Sequence, residues 1–457
     1  MRIQIERPPH SASRPFPAIP LTSINLACCE GAVRLWRMEP SCRHLSAAAL
    51  LATAILCWTS VGRAASITLS DAIDRALHVA PSVDVAAAAS DMTVAHVREQ
   101  RAPLFPTVAS GGEYYQAPGY NQVITNRGLS AGMLTLDYTA WDWGRRQALL
   151  RAAQYVNDAS RLGVAAARAQ IVFDTSVAYF DLLRARGTLQ ALQVSLDRLS
   201  RYVTTIQALE KSGRMITNDV LKFRTARDSA ELALDVARSN SERAAATLGV
   251  MIGEPNQPDL EIADLRGIPP RPTGDLALSP VMQAAQRAIA SADSQIVAAK
   301  AERLPTFQVA FTTGFVGIDP PKTIAHNFGG SYDGVVSLPI FDGGLIASHI
   351  DQAKAKAHSA TAQARLTEYL LKRRVADASL RYDEANRQLE ILARSQPTAD
   401  DNFRLTWSRF LGGGSATMLE VLDSYQTAEQ LRLLHFDQQF NAREAVAETS
   451  LLYGRIQ

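Results

Sequence analysis

Three carboxylates stand where their spacing has consequences. Glu420 and Asp423 are three residues apart, which on a helix puts them on one face. Asp219 lies 201 residues before Glu420 in a stretch of similar pattern. Acids placed this way can gather cations, or they can finish a helix. Thr417-Met418-Leu419-Glu420 fits a capping box, and Asp219 suits a first helical turn, where the dipole favours negative charge. Other chemistry is thin. His78, His96, His326, His349, His358 and His435 show no metal-ligand spacing, and no Gly-rich loop ending in Lys-Ser or Lys-Thr cradles a phosphate. Asp400-Asp401 reads as a solvated helix face. The four cysteines, Cys28, Cys29, Cys42 and Cys57, all precede the last 400 residues, so neither a thiolate site nor a disulfide framework serves that part. No catalytic, cofactor or metal site emerges, and the chain is expected not to be an enzyme.

The composition narrows the class further. The 457 residues carry 47 Lys plus Arg against 45 Asp plus Glu, a net charge of +2 that gives no electrostatic case for a nucleic-acid partner. Near the N-terminus, Arg43-His44 precedes an apolar stretch from Leu45 to Trp58 and a small-residue exit at Gly62-Arg63-Ala64-Ala65. That is the anatomy of a secretory signal peptide, so residues 1–65 read as leader and signal, with Met38 as an alternative start. Leu56 stands before Cys57, where lipid attachment would need a small residue. Beyond the leader nothing approaches the ~20 consecutive apolar residues of a membrane-spanning helix. The expectation is therefore a periplasmic protein or an outer-membrane β-barrel of a diderm bacterium.

The positions of the acids depend on elements that are written twice. Phe105-Pro106-Thr107 recurs as Leu304-Pro305-Thr306, Asp142-Trp143-Gly144 as Asp342-Gly343-Gly344, and Gly213 before Asp219 as Gly414 before Glu420. The successive intervals are 36 and 71 residues in the first copy and 37 and 72 in the second. The first repeat spans 66–253, a Pro-rich linker 254–280, and the second repeat 281–457.

Within each copy the long interval is helical. Ile171, Thr175, Ala178, Leu182, Ala185, Leu189, Leu192, Leu196, Leu199, Val203 and Ile206 alternate spacings of four and three, a coiled-coil seam. Leu371, Val375, Ala378, Tyr382, Ala385, Leu389 and Leu392 repeat it. This predicts helices over about 142–212, 217–250, 343–411 and 416–453. The short interval alternates as strands do: Phe307, Val309, Phe311, Thr313 and Phe315 against Gln308, Ala310, Thr312 and Gly314. Strands are expected over about 107–116, 129–139, 306–316 and 331–341, with Pro339 at a strand end or bulge. Four strands cannot close a membrane barrel, whose smallest examples need about eight. Membrane insertion thus requires several copies, and three would supply twelve strands.

Taken together these residues resemble a TolC-like outer membrane efflux protein from Ile67 to Arg455. The carrying motifs are Leu69-Ser70-Asp71-Ala72-Ile73 with Pro81, the Phe-Pro-Thr and Leu-Pro-Thr turns, Asp142-Trp143-Gly144-Arg145-Arg146, Phe341-Asp342-Gly343-Gly344, Ala178-Tyr179-Phe180-Asp181-Leu182-Leu183, Asp219-Val220-Leu221 and Glu420-Val421-Leu422-Asp423. The resemblance implies a mainly α fold with a small β part: two tandem repeats of long antiparallel coiled-coil helices, each with a β-hairpin. It further implies a homotrimeric twelve-strand β-barrel in outer-membrane lipid, continued by a periplasmic α-helical tunnel. Such a chain is the passive, gated channel of a tripartite efflux or type I secretion system, docked with a periplasmic adaptor and an inner-membrane pump. The competing reading is a periplasmic coiled-coil scaffold or adaptor without a pore.

The resemblance also assigns roles. Ser212, Gly213, Arg214, Gly413, Gly414 and Ser415 become the helix tips that meet the adaptor. Glu420 and Asp423 become a cation-selective constriction ring, and Asp219 a gate residue. The chain departs from the family's best-known pattern at Ala416, where an Arg locks the entrance, and at Leu411, where an aromatic stands. A different or weaker lock is expected, with Arg214 or Arg409 as the substitute cation.

Overall fold

The computed structural model describes residues 66–115, 129–255, 260–318, 328–412 and 416–455. The leader, most of both hairpin loops, and Gly413-Gly414-Ser415 lie outside them. The chain runs α1 (Leu69–Val79), α2 (Pro81–Arg101), β1 (Thr107–Tyr115), β2 (Leu129–Trp141), α3 (Arg145–Lys211), α4 (Thr217–Met251), α5 (Pro280–Ala301), β3 (Thr306–Ile318), β4 (Phe328–Ser337), α6 (Leu345–Leu411) and α7 (Met418–Leu452). Helices α3 and α6 each have 67 residues, about 100 Å at 1.5 Å per residue.

The sequence explains why such helices hold together. In α6 the buried residues are Ile350, Ala357, Ala364, Leu371, Ala378, Ala385, Leu392 and Ala399, one every seven, with Ala353 beside them. A strict heptad seam winds helices into a left-handed supercoil, and its many alanines let neighbouring backbones approach closely. In α3 the buried stripe likewise includes Thr175, Ala178, Leu182, Leu199, Val203 and Ile206. Packing divides the molecule into two four-helix walls sharing α3 and α6. Near the sheet the order is α2–α3–α5–α6; at the far end it is α4–α3–α7–α6. Helix α1 and the segment after α4 lie against α3, joined by a parallel bridge between Ile67 and Ile262. The Tyr179 hydroxyl donates to the carbonyls of Ile67 (3.0 Å) and Ala263 (2.6 Å), tying that layer to the wall.

Both hairpins return to their helices through one device. Asp142 Oδ1 accepts from Gly144 N–H at 3.2 Å, and Oδ2 from Arg146 N–H at 2.9 Å. Asp342 repeats it with Gly344 N–H (2.9 Å) and Ile346 N–H (2.7 Å). The two residues after each Asp are left-handed: φ is 55° at Trp143 and 81° at Gly144, 65° at Gly343 and 90° at Gly344. Helices therefore begin at Arg145 and Leu345, two or three residues later than expected, because the Asp and its two followers form the capping turn.

The four strands pair antiparallel in the order β1-β2-β3-β4, which leaves β1 and β4 as open edges. The register sorts the two faces. Val108, Tyr114, Leu134, Leu136, Tyr138, Phe307, Val309, Phe311, Phe315, Phe328, Tyr332 and Val336 lie on one side. Glu113, Thr135, Asp137, Gln308, Thr312, Ser331 and Asp333 lie on the other. Strand β2 continues through a register shift to Trp141. Strand β4 stops at Ser337 rather than reaching 341: Pro339 has no N–H to give a ladder, and Leu338, Ile340 and Phe341 stay exposed.

Candidate functional site

The predicted site residues gather at the end of the wall remote from the sheet. Helix α3 closes in a Schellman turn: Gly213 N–H donates to Glu210 C=O (2.8 Å) and Arg214 N–H to Leu209 C=O (3.0 Å). Gly213 has φ of 72°, which a residue with a Cβ adopts only under strain. The Ser212 hydroxyl donates to Leu209 C=O at 2.8 Å. Ser212, Gly213 and Arg214 are all exposed, forming a blunt tip. The matching tip after α6 falls on Gly413, Gly414 and Ser415, outside the described residues; its last helical bond is Gly412 N–H to Ser408 C=O at 3.0 Å.

Each returning helix opens on an acid. Asp219, half-buried in the first turn of α4, has Oδ1 at 3.6 Å from Lys222 Nζ. Thr417 and Glu420 form the capping box of α7: Thr417 N–H donates to Glu420 Oε2 at 2.7 Å, and Glu420 N–H donates to Thr417 Oγ1 at 3.3 Å. Asp423 is exposed, and its carboxylate bonds to no described residue. Val220 and Val421, neighbours of Asp219 and Glu420, are buried in one apolar cluster with Leu199, Val203 and Ile206 of α3, the helix between α4 and α7. Neither Arg214 nor Arg409 pairs with an acid among the described residues; within the chain the cation beside Asp219 is Lys222.

Above the tips the structure shows residues that the spacing of acids did not reveal. Tyr202 of α3 packs against Trp407 (4.4 Å between ring centroids) and Phe403 (5.6 Å) of α6, and near Tyr425 (6.5 Å) of α7. Phe223 of α4 lies 6.1 Å from Trp407, and Phe403 5.4 Å from Tyr425. The rings join the α3/α4 hairpin to the α6/α7 hairpin across the whole wall. A signal was present: Phe403, Trp407 and Phe410 recur at i, i+4 and i+7 in a chain only 7% aromatic. Tyr425 also donates its hydroxyl to Ser195 C=O at 3.1 Å and contacts the Ser195 hydroxyl. Burial pushes its pKa up to about 12, only partly opposed by the Ser195 bond.

A buried charge network lies next to this cluster. Glu429, 9% exposed, meets Arg432 Nη1 at 2.5 Å and Arg198 Nη1 at 3.4 Å, while Arg432 Nη2 reaches Asp400 Oδ1 at 2.9 Å. Desolvation acts to lower the Arg432 pKa, but Glu429 and Asp400 outweigh it and raise the net value. The reading of Asp400-Asp401 as a solvated face is therefore half corrected. Asp401 pairs only with Arg404 on its own exposed helix face, whereas Asp400 joins α6 to α7. Among the described residues no His, Cys, Asp and Glu group could hold a metal ion, and no helix is long and apolar enough to cross a membrane.

Comparison with known proteins accords with this geometry. A family model described as outer membrane efflux protein matches residues 72–254 and 275–455, one stretch for each repeat. Protein CyaE of Bordetella pertussis is 26% identical over 335 residues, covering 68% of both chains. The pyoverdine export outer membrane protein OpmQ of Pseudomonas putida is 25% identical over 408 residues, 81% of this chain and 83% of that one. Among solved structures, CusC superposes with a TM-score of 0.79 over 85% of this chain and 92% of its own, at 16% identity.

Proposed function

The chain belongs to the outer membrane efflux protein family, and from that premise we propose that three copies form the outer-membrane channel of an efflux or secretion assembly. The observation that carries this reading is the two-faced sheet. Its aromatic and aliphatic face includes Tyr332 at 85% exposure, and none of the described helices packs over it. An uncovered apolar face of this size in an exported protein suits lipid. The opposite face, with Glu113, Asp137 and Asp333, suits a water-filled lumen. The open edges of β1 and β4 then pair with neighbouring copies, because a sheet edge cannot stay unsatisfied in hydrocarbon. Three four-strand sheets give a twelve-strand barrel, and three walls give the tunnel beneath it.

Asp219, Glu420 and Asp423 line the periplasmic entrance of this tunnel. Threefold symmetry repeats each acid three times, raising local cation concentration and repelling anions. Asp423 carries more of this effect than Glu420, whose carboxylate is engaged by its own cap. The tips at Ser212-Gly213-Arg214 and Gly413-Gly414-Ser415 meet a periplasmic adaptor, and an inner-membrane pump supplies the energy. With Ala at 416, the ring cluster around Tyr202 and Trp407 holds the entrance helices together in place of an Arg lock. Detergent extraction followed by mass measurement tests the assembly: trimers recovered from the outer-membrane fraction support it, and monomers released without detergent contradict it.

A further inference from the structure

A cavity of about 410 Å³ opens where α1, α3 and α7 meet the segment after α4. Its walls are largely apolar, among them Leu69, Phe173, Phe180, Ile268 and Val446. Into this lining the fold sets Arg443 of α7, a charged residue only 6% exposed. Its Nε donates to Gly267 C=O at 3.2 Å, and Nη2 donates to Leu265 C=O at 2.8 Å and to Gly267 C=O at 3.0 Å. Nη1 donates to no described residue, and among those residues Arg443 has no carboxylate in an ion pair. The Phe440 ring, 5.1 Å from the guanidinium carbon, is its other close companion. Burial lowers the Arg443 pKa, with Asp264 acting weakly the other way, as expected for a cation short of a counter-charge. Arg266 and Arg455 also line the cavity, and neither forms an ion pair with a described residue.

A largely buried guanidinium that keeps one free donor offers an anion entering the cavity a charge-assisted hydrogen bond. Arg266 and Arg455, both exposed, add positive charge to the same lining. Apolar walls add a demand for hydrocarbon, and the volume falls within the ~300–1,000 Å³ of small-molecule sites. We propose that this cavity binds an amphipathic monoanion, a carboxylate on an alkyl chain, with its headgroup toward Arg443, Arg266 and Arg455 and its chain against Phe173, Phe180 and Val446. The site uses α3 and α7, the middle pair of the far wall, so it does not lie on α4 or α6, the outer helices that neighbouring copies would meet. The inference is independent of channel activity.

Titration calorimetry of the full-length protein in lipid nanodiscs tests it, with octanoate, octanol and inorganic phosphate as probes. Octanoate should bind saturably, one per chain, and octanol and phosphate should each bind at least about tenfold more weakly, the worth of one charge-assisted contact. The double variant Arg266→Gln/Arg455→Gln should weaken octanoate about tenfold and leave octanol unchanged. Ala447→Trp, which fills the cavity from α7, should abolish octanoate binding while the helical circular dichroism spectrum is retained. Octanol matching octanoate would show an apolar groove with no anion recognition. Phosphate matching octanoate would show an ion site with no role for the chain. Full octanoate affinity in Ala447→Trp, or no saturable binding to wild type, would overturn the assignment outright.

Discussion

At the scale of single residues, the repeated Asp-x-Gly turns show how a short motif fixes a long element. Burial acts to raise the Asp142 pKa, but hydrogen bonds from Arg146 and Gly144 and the Arg146 charge hold it below its ordinary value. At Asp342 the backbone donors of Ile346 and Gly344 lower the carboxylate in the same way. A carboxylate depressed in the folded state stabilises the fold above its ordinary titration range, and the contribution is lost as pH falls through the depressed value. Asp142→Ala should therefore lower stability by about 1–2 kcal/mol at neutral pH. Melting curves of variant and wild type should converge in acid, where wild type also loses its charged cap; a constant gap would refute the assignment. The motif was legible because it occurs twice. The left-handed backbone at Trp143 was not, since a bulky residue seldom adopts it; its indole Nε1 donates to Pro305 C=O at 2.8 Å and holds the turn against β3. The acids at 219, 420 and 423 were singled out as candidates by type and spacing, and the cap engaging Glu420 and the Lys222 contact of Asp219 bear on how much charge each presents. Asp219→Ala should change open probability in lipid-bilayer recordings; unchanged gating would remove Asp219 from the entrance.

At the scale of elements, the heptad seam predicts where substitutions are tolerated. Ala385 is 1% exposed in α6, so Ala385→Leu forces extra volume between close backbones and should destabilise by about 1–3 kcal/mol. Exposed Leu380, 66% accessible in this chain, should accept Ala with little loss in a dissociated subunit. The aromatic cluster makes a sharper claim. Tyr202 and Trp407 belong to different hairpins, so a double-mutant cycle of Tyr202→Ala and Trp407→Ala should return a coupling of about 0.5–1.5 kcal/mol. Additive effects would mean that the rings merely fill space. The seam was readable from period alone, because spacings of four and three admit little other than a coiled coil. The cross-hairpin ring contacts and the Arg198–Glu429–Arg432–Asp400 network were not, because they depend on which helices become neighbours. That pairing arises from the fold-back after α5 and cannot be read from any one helix.

At the scale of the whole molecule, the chain is half of several things at once. Its described sheet has two faces of opposite character but too few strands to close, and its described wall is α2–α3–α5–α6 near the sheet and α4–α3–α7–α6 at the far end. Duplication accounts for the internal symmetry, and the proposed association of copies would close what remains open. The four strands and the four long helices were readable from the sequence, while the bounds of α1, α2 and α5 were not; the faces of the sheet needed the register, because one residue of slip exchanges them. In the proposed assembly, copies of the chain enclose a cation-preferring conduit. Planar-bilayer recordings of the purified full-length protein under a potassium chloride gradient test it most directly. Discrete conductance steps are expected, with a reversal potential on the cation-selective side that moves toward zero in Glu420→Gln/Asp423→Asn. Absence of steps from correctly folded protein, or selectivity unmoved by removing both carboxylates, would contradict it.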